Sequence, residues 1–127
     1  MKIQRILLVD DDRDLIDLWK RYLKEAGYEV DVAYDGVEGL EMAKKDHYSL
    51  IVLDEMMPKM DGLAVLAGMN TDRDQGKIHR VVMVTNLDRD TMSSQAMKMG
   101  ALGCISKTDV DPGAFVERVK SFLMQVT

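Results

Sequence analysis

The 127-residue sequence predicts an α/β fold, a parallel sheet of five strands with helices on both faces. Three observations carry that prediction. Short apolar runs alternate five times with stretches of helical periodicity. Two of the runs, Leu50-Ile51-Val52-Leu53 and Val81-Val82-Met83-Val84, are unbroken, as strands buried on both faces are. No linker, repeat or low-complexity segment interrupts the alternation. The chain is therefore expected to be a single domain over residues 1–127, with no output domain attached.

The first strand is Ile6-Leu7-Leu8-Val9, and Asp10-Asp11 ends it. Leu15, Leu18, Trp19, Tyr22, Leu23 and Ala26 then form one helical stripe, and Gly27 follows as the residue that stops it. The second strand, Glu29-Val30-Asp31-Val32-Ala33, alternates polar and apolar, which suits a less buried position. Asp35 with Glu38 three residues later forms a capping-box pattern that opens a helix through Leu40, Met42 and Ala43. Leu50 to Leu53 is the third strand and ends at Asp54. A helix over 62–70 and a polar connector over 71–77 precede the fourth strand, Arg80 to Thr85. Asp88 is expected to cap a helix running through Met99 and ended by Gly100. Gly103 to Ser106 is the short fifth strand, with Lys107 at its end. Asp111 as N-cap and Pro112 as first helical residue open the last helix, 113–125.

Net charge is −5 with both signs interspersed, which argues against a nucleic-acid footprint because that needs a basic face. Cys104 is the single cysteine, so no intrachain disulfide can form, and a reducing, cytoplasmic setting is expected. The apolar run after Met1 is too short for a signal peptide, and no stretch reaches transmembrane length. The eleven methionines read as adaptable core and surface filler.

In an open parallel sheet, ligands bind at the C-terminal ends of the strands. Four such ends here carry Asp10-Asp11, Asp54, Thr85 and Lys107. Carboxylates brought within a few ångströms repel and raise one another's pKa unless a cation fills the cluster. The set is all oxygen, which selects a hard ion, Mg²⁺ or Mn²⁺, over zinc. A carboxylate held rigidly at a strand end can attack phosphorus and form an aspartyl phosphate. A metal ion, an ammonium and a hydroxyl are the groups that neutralise a transferring phosphoryl. Any single Asp here has the simpler reading of a helix cap; the combination with Thr85 and Lys107 favours chemistry.

Val9-Asp10-Asp11, the stretch Asp54-Glu55-Met56-Met57-Pro58-Lys59-Met60-Asp61-Gly62, Thr85 and Lys107 together resemble the receiver domain of bacterial two-component response regulators, and the resemblance covers essentially the whole chain. It implies a doubly wound, flavodoxin-like (βα)5 fold with strand order 2-1-3-4-5. It implies that Asp54 accepts a phosphoryl group from a histidine kinase or phosphotransfer protein. Asp11, Asp54 and the backbone carbonyl of Met56 would bind Mg²⁺ directly, with Asp10 acting through water. Thr85 and Lys107 would contact the phosphoryl group. Such a protein catalyses its own phosphorylation and dephosphorylation only, and is not a turnover enzyme. Pro58 is read as stiffening the loop after Asp54, and Gly62 as permitting a tight turn into the third helix.

The chain departs from the family pattern in four places. Cys104 stands where an aromatic usually sits three residues before the lysine, so an aromatic switch cannot work in its usual form. Thr108 replaces the usual Pro, making a cis peptide improbable there. Asn86 is bulkier than usual, with a hypothesised narrowing of access to Asp54. Leu102-Gly103 replaces an acidic pair found in regulators that dimerise through the fourth helix, fifth strand and fifth helix. A monomer that docks a downstream protein on that face is expected instead. Two alternatives stay open, a phosphorylation-independent interaction module of the same fold and a haloacid dehalogenase-type phosphatase. The second would use Asp10-Asp11-Asp12 as an Asp-x-Asp motif, which Arg13 and Asp14 do not continue.

Overall fold

The computed structural model describes residues 3–72, 76–85, 89–107 and 111–126. Five strands, β1 (Arg5–Val9), β2 (Glu29–Ala33), β3 (Leu50–Asp54), β4 (Val81–Thr85) and β5 (Gly103–Ser106), alternate with five helices. These are α1 (Arg13–Glu25), α2 (Gly36–Lys45), α3 (Gly62–Asn70), α4 (Arg89–Lys98) and α5 (Pro112–Val126). All strand pairs are parallel and the order is β2-β1-β3-β4-β5, as the resemblance implies. β3 and β4, the two unbroken apolar runs, are buried at every position, whereas β2 lies at an edge.

Alternation along each strand divides the core in two. Ile6, Leu8, Val52, Val82, Val84 and Ile105 pack with Ile16, Trp19 and Leu23 of α1 and Phe115, Val119 and Phe122 of α5. Leu7, Val9, Ile51, Leu53, Val81 and Met83 pack with α2, α3 and α4 through Ala43, Val65, Leu66, Met69 and Ala96. Each large side chain removed from water stabilises the fold by about 1.5–3 kcal/mol. Trp19 stacks on Phe115 at 3.8 Å between ring centroids and 10° between planes, joining α1 to α5. Gly103 lets Phe122 approach β5, since a Cβ there would meet the ring at 2.8 Å.

Side-chain caps fix the helix starts: Asp12 for α1, Asp35 for α2 and Asp61 for α3 each accept the backbone N–H three residues on. Asp111 does the same for α5, accepting from Ala114 N at 2.7 Å. The Asp35–Glu38 pattern is not the reciprocal box expected: Glu38 Oε2 reaches the N–H of Tyr34, at 3.5 Å, rather than that of Asp35. Gly27 adopts φ +102° after α1, a conformation open to glycine without strain. The expected cap at Asp88, and Asn86 and Thr108, lie outside the described residues.

At the N-terminal end of the sheet, Arg5 pairs with Asp31 at 2.7 Å and Glu29 at 3.6 Å, and the Tyr48 hydroxyl donates to Asp31 at 2.8 Å. Burial and the bond to Asp31 hold the Tyr48 phenol well above its usual pKa. Lys77 donates to the α2 carbonyls of Ala43 and Lys44 at 2.8 and 2.7 Å. Asp72 accepts from Lys44 at 3.0 Å and pairs with His79 Nε2 at 2.8 Å. The His79 hydrogen bond, then Lys44, holds the Asp72 carboxyl below its usual range. Among the described residues, no helix is long and apolar enough to cross a membrane.

Candidate phosphoryl and metal site

Register brings the strand ends together. Val9 aligns with Leu53, Asp54 with Val84, and Thr85 with Ser106, so Asp10, Asp54, Thr85 and Lys107 fall at one edge of the sheet. Asp54 is the last residue of a strand whose other members are all apolar and buried, which leaves its carboxyl little freedom. Asp10, Asp54 and Thr85 are themselves buried, at 3%, 4% and 1% exposure, while Asp11 is exposed.

Lys107 Nζ lies 2.9 Å from Asp10 Oδ2 and 3.2 Å from Asp54 Oδ1. One ammonium thus serves two buried carboxylates. Asp10 Oδ1 accepts the N–H of Asp12 at 2.9 Å, so the turn into α1 orients the Asp10 carboxyl. Asp10 Oδ2 meets the ammonium as an ion pair without hydrogen-bond geometry. Lys107 N donates to Thr85 O at 3.0 Å, tying the ends of β4 and β5.

Burial, then the charge of Asp10, pushes the Asp54 carboxyl up to about 7, against the opposing pull of Lys107. Burial works against the Lys107 charge, yet pairing with Asp10 and Asp54 leaves its pKa raised. These shifts describe a site short of positive charge: two buried carboxylates share one ammonium, and Asp11 adds further negative charge.

Asp10, Asp11 and Asp54 each offer a carboxylate oxygen within 4.8 Å of the others. With three carboxylates set against the one Lys107 ammonium, this all-oxygen set fits a hard divalent cation. A cavity of about 410 Å³ is lined by Asp11, Glu55, Met56, Met57, Pro58 and Asp61, so the Met56 segment meets the acidic cluster at Asp11. Glu55 Oε2 is buried without a hydrogen bond, and burial, then the charge of Asp61, raises the Glu55 carboxyl.

Gly62 does permit a tight turn into α3, but through close approach rather than a positive φ: it starts α3 hard against the end of β3, and its N–H donates to Glu55 O at 2.8 Å. A Cβ there would lie 2.5 Å from Asp54 O and 2.7 Å from Met83 Cε. Lys59 carries the positive φ of this loop, at 70°, with Met60 N donating to Pro58 O at 2.8 Å across it. Sequence reasoning also passed over Ser106, a hydroxyl buried at the same edge as Thr85; its polarity at the end of an apolar run was the available signal.

Five parallel strands in this order, with helices on both faces and a polar cluster at the C-terminal edge, define the flavodoxin-like doubly wound class. Within that class the model of the response regulator receiver domain matches residues 6–120, and the chain belongs to this family, the receiver domain of two-component response regulators. It is 33% identical over 120 residues to the alkaline phosphatase synthesis transcriptional regulatory protein PhoP of Bacillus subtilis, covering 94% of this chain and 48% of that protein. It is 47% identical over 70 residues to the response regulator MprA of Mycobacterium ulcerans, covering 55% of this chain and 30% of that one. The chain thus spans less than half the length of these curated relatives. Among solved structures, a CheY-like receiver domain protein from Methanospirillum hungatei superposes with a TM-score of 0.86 at 29% identity, covering 98% and 97% of the two chains. The CheX–CheY–BeF3–Mg complex from Borrelia burgdorferi gives 0.82 at 28% identity over 93% and 87%.

Proposed function

We propose that this protein is a phosphoacceptor whose Asp54 takes a phosphoryl group from the phosphohistidine of a histidine kinase or phosphotransfer protein. The observation that supports it best is the convergence at Asp54: a buried carboxylate at a rigid strand end, 3.2 Å from an ammonium and within 4.8 Å of two further acids. An Asp54 carboxylate oxygen attacks phosphorus, an O–P bond forms, and the P–N bond to the donor imidazole breaks with its electron pair returning to nitrogen. Lys107 pairs with one phosphoryl oxygen and the Thr85 hydroxyl donates to another. Asp11, Asp54 and the Met56 carbonyl would hold Mg²⁺, with Asp10 acting through water; Mn²⁺ fits the same donors. Bound there, the ion neutralises charge on the phosphoryl oxygens.

On this reading a downstream protein docks at α4, β5 and α5, and the receiver itself is monomeric and cytoplasmic; the chain's overall net charge of −5 weighs against nucleic acid as its direct partner. Asp12, the second acid that a dehalogenase-type phosphatase would need, is engaged as the cap of α1, accepting from Leu15 N at 3.1 Å. Incubation with acetyl phosphate and Mg²⁺ tests the proposal. The expected result is a gain of one phosphoryl mass, mapped to Asp54 and absent from Asp54→Asn. Failure to gain mass, together with no affinity for beryllofluoride, would leave the phosphorylation-independent module as the better reading.

A further inference from the structure

Among the described residues, the buried polar side chains are Asp10, Asp54, Asp72, Thr85 and Ser106. Asp72 belongs to the salt-bridged corner with Lys44 and His79. The other four lie at the C-terminal edge of the sheet, and the proposed chemistry uses all of them but Ser106.

Three observations place Ser106 beside Thr85. The two residues are register partners on adjacent parallel strands, where backbones run about 4.8 Å apart. Their side chains leave the sheet on the same face: Met83 and Cys104, one alternation earlier, both join the core under α2, α3 and α4, whereas Val84 and Ile105 join the opposite one. Both hydroxyl residues are buried, at 1% and 7% exposure. Lys107 follows Ser106 directly, and its N–H donates to Thr85 O at 3.0 Å, so the same tie fixes both strand ends.

We propose that Ser106 is a positioning residue that acts through Thr85, its hydroxyl lying beside that of Thr85 and selecting the rotamer that turns Thr85 Oγ1 toward Asp54. Threonine is stiff at χ1, and its hydroxyl and methyl exchange places between rotamers. A neighbour that hydrogen-bonds the hydroxyl favours one of them, as Thr–Ser neighbours across strands do. An alanine at 106 keeps the strand and removes the preference. In this chain Cys104, on the same face two residues earlier, offers no ring to hold that space.

The inference rests on Asp54 being a phosphoacceptor, and the test separates the two. The second-order rate of phosphorylation by acetyl phosphate with Mg²⁺ is measured for wild type, Ser106→Ala, Thr85→Ala and the double variant, with Mg²⁺ affinity measured alongside. Ser106→Ala is expected to lose roughly three- to ten-fold in rate, the size of one hydrogen bond's net contribution. Ser106→Thr restores the rate, Mg²⁺ affinity stays unchanged, and Ser106→Ala costs nothing further once Thr85 is alanine. Ser106→Cys, close in volume but a weaker donor, replaces the alanine variant should that one fold poorly. An unchanged rate, an equal loss in both Thr85 backgrounds, or a parallel loss of Mg²⁺ affinity would overturn the inference alone. A wild-type protein that accepts no phosphoryl would overturn the phosphoacceptor reading and this one with it.

Discussion

Substituting Gly62 with alanine is expected to be among the costlier single-methyl changes in this protein. The added Cβ would lie 2.5 Å from the carbonyl oxygen of Asp54, 2.7 Å from Met83 Cε and 2.9 Å from Glu55 Cα. Met83 can turn its terminal methyl away, but the two backbone contacts can be relieved only by moving α3 off β3. Glu55 O accepts the Gly62 N–H at 2.8 Å, so that movement also strains a hydrogen bond. Overpacking of this kind costs about 1–3 kcal/mol. For a domain of this size that corresponds to a fall in Tm of roughly 4–12 °C. Gly113→Ala is the matched control: it sits in the first turn of α5, and its Cβ would meet nothing nearer than Asp111 Oδ1, at 3.5 Å. Helix propensity alone predicts that it gains roughly 0.5–1 kcal/mol. Urea unfolding of both variants, monitored by the fluorescence of Trp19, gives the two values directly. A Gly62→Ala variant within about 0.5 kcal/mol of wild type would refute the reasoning.

Two pH-dependent outcomes follow from the site and its opposite corner. In Mg²⁺-free buffer the Asp54 carboxyl, raised to about 7 by burial and by Asp10, resists ionisation in the folded state, so its contribution to stability declines as pH rises from the ordinary carboxylate range toward 7. Asp54→Asn should therefore stabilise the metal-free protein more at pH 8 than at pH 5; equal or reversed gains in denaturation midpoint contradict this. Asp72 has the opposite sign. Its pKa is lowered by His79 and Lys44, so its stabilisation is present above the ordinary carboxylate range and lost as pH falls through the folded value. The stability gap between wild type and Asp72→Asn should be widest near neutrality and close on acidification.

The strand ends were legible in the sequence because each one terminates a buried run. A strand covered on both faces leaves few polar positions until it emerges, so Asp10, Asp54, Thr85 and Lys107 mark the edge where the strands emerge and where the proposed chemistry lies. Helix starts were legible for a similarly local reason: Asp35 and Asp111 accept bonds from residues three positions away. What eluded the sequence depends on neighbours distant along the chain. Gly62 is required by the carbonyl of Asp54, and Gly103 by the ring of Phe122, and neither clash has a local signature. The connector over 71–77 reads as generic polar linker, yet Asp72 and Lys77 fasten it to α2. Ser106 reads as the tail of an apolar run because its register partner on β4, Thr85, leaves no signature in the local sequence.

Lys107 is a single positive charge divided between two creditors on different strands, Asp10 at 2.9 Å and Asp54 at 3.2 Å. Any group that adds negative charge at Asp54 enlarges one claim without changing the other, so the same ammonium is drawn toward β3 while Asp10 keeps the tie of its other oxygen to the turn into α1. Because Asp10 follows β1, Asp54 ends β3 and Lys107 follows β5, charge added at one strand end changes the electrostatic balance at the other two.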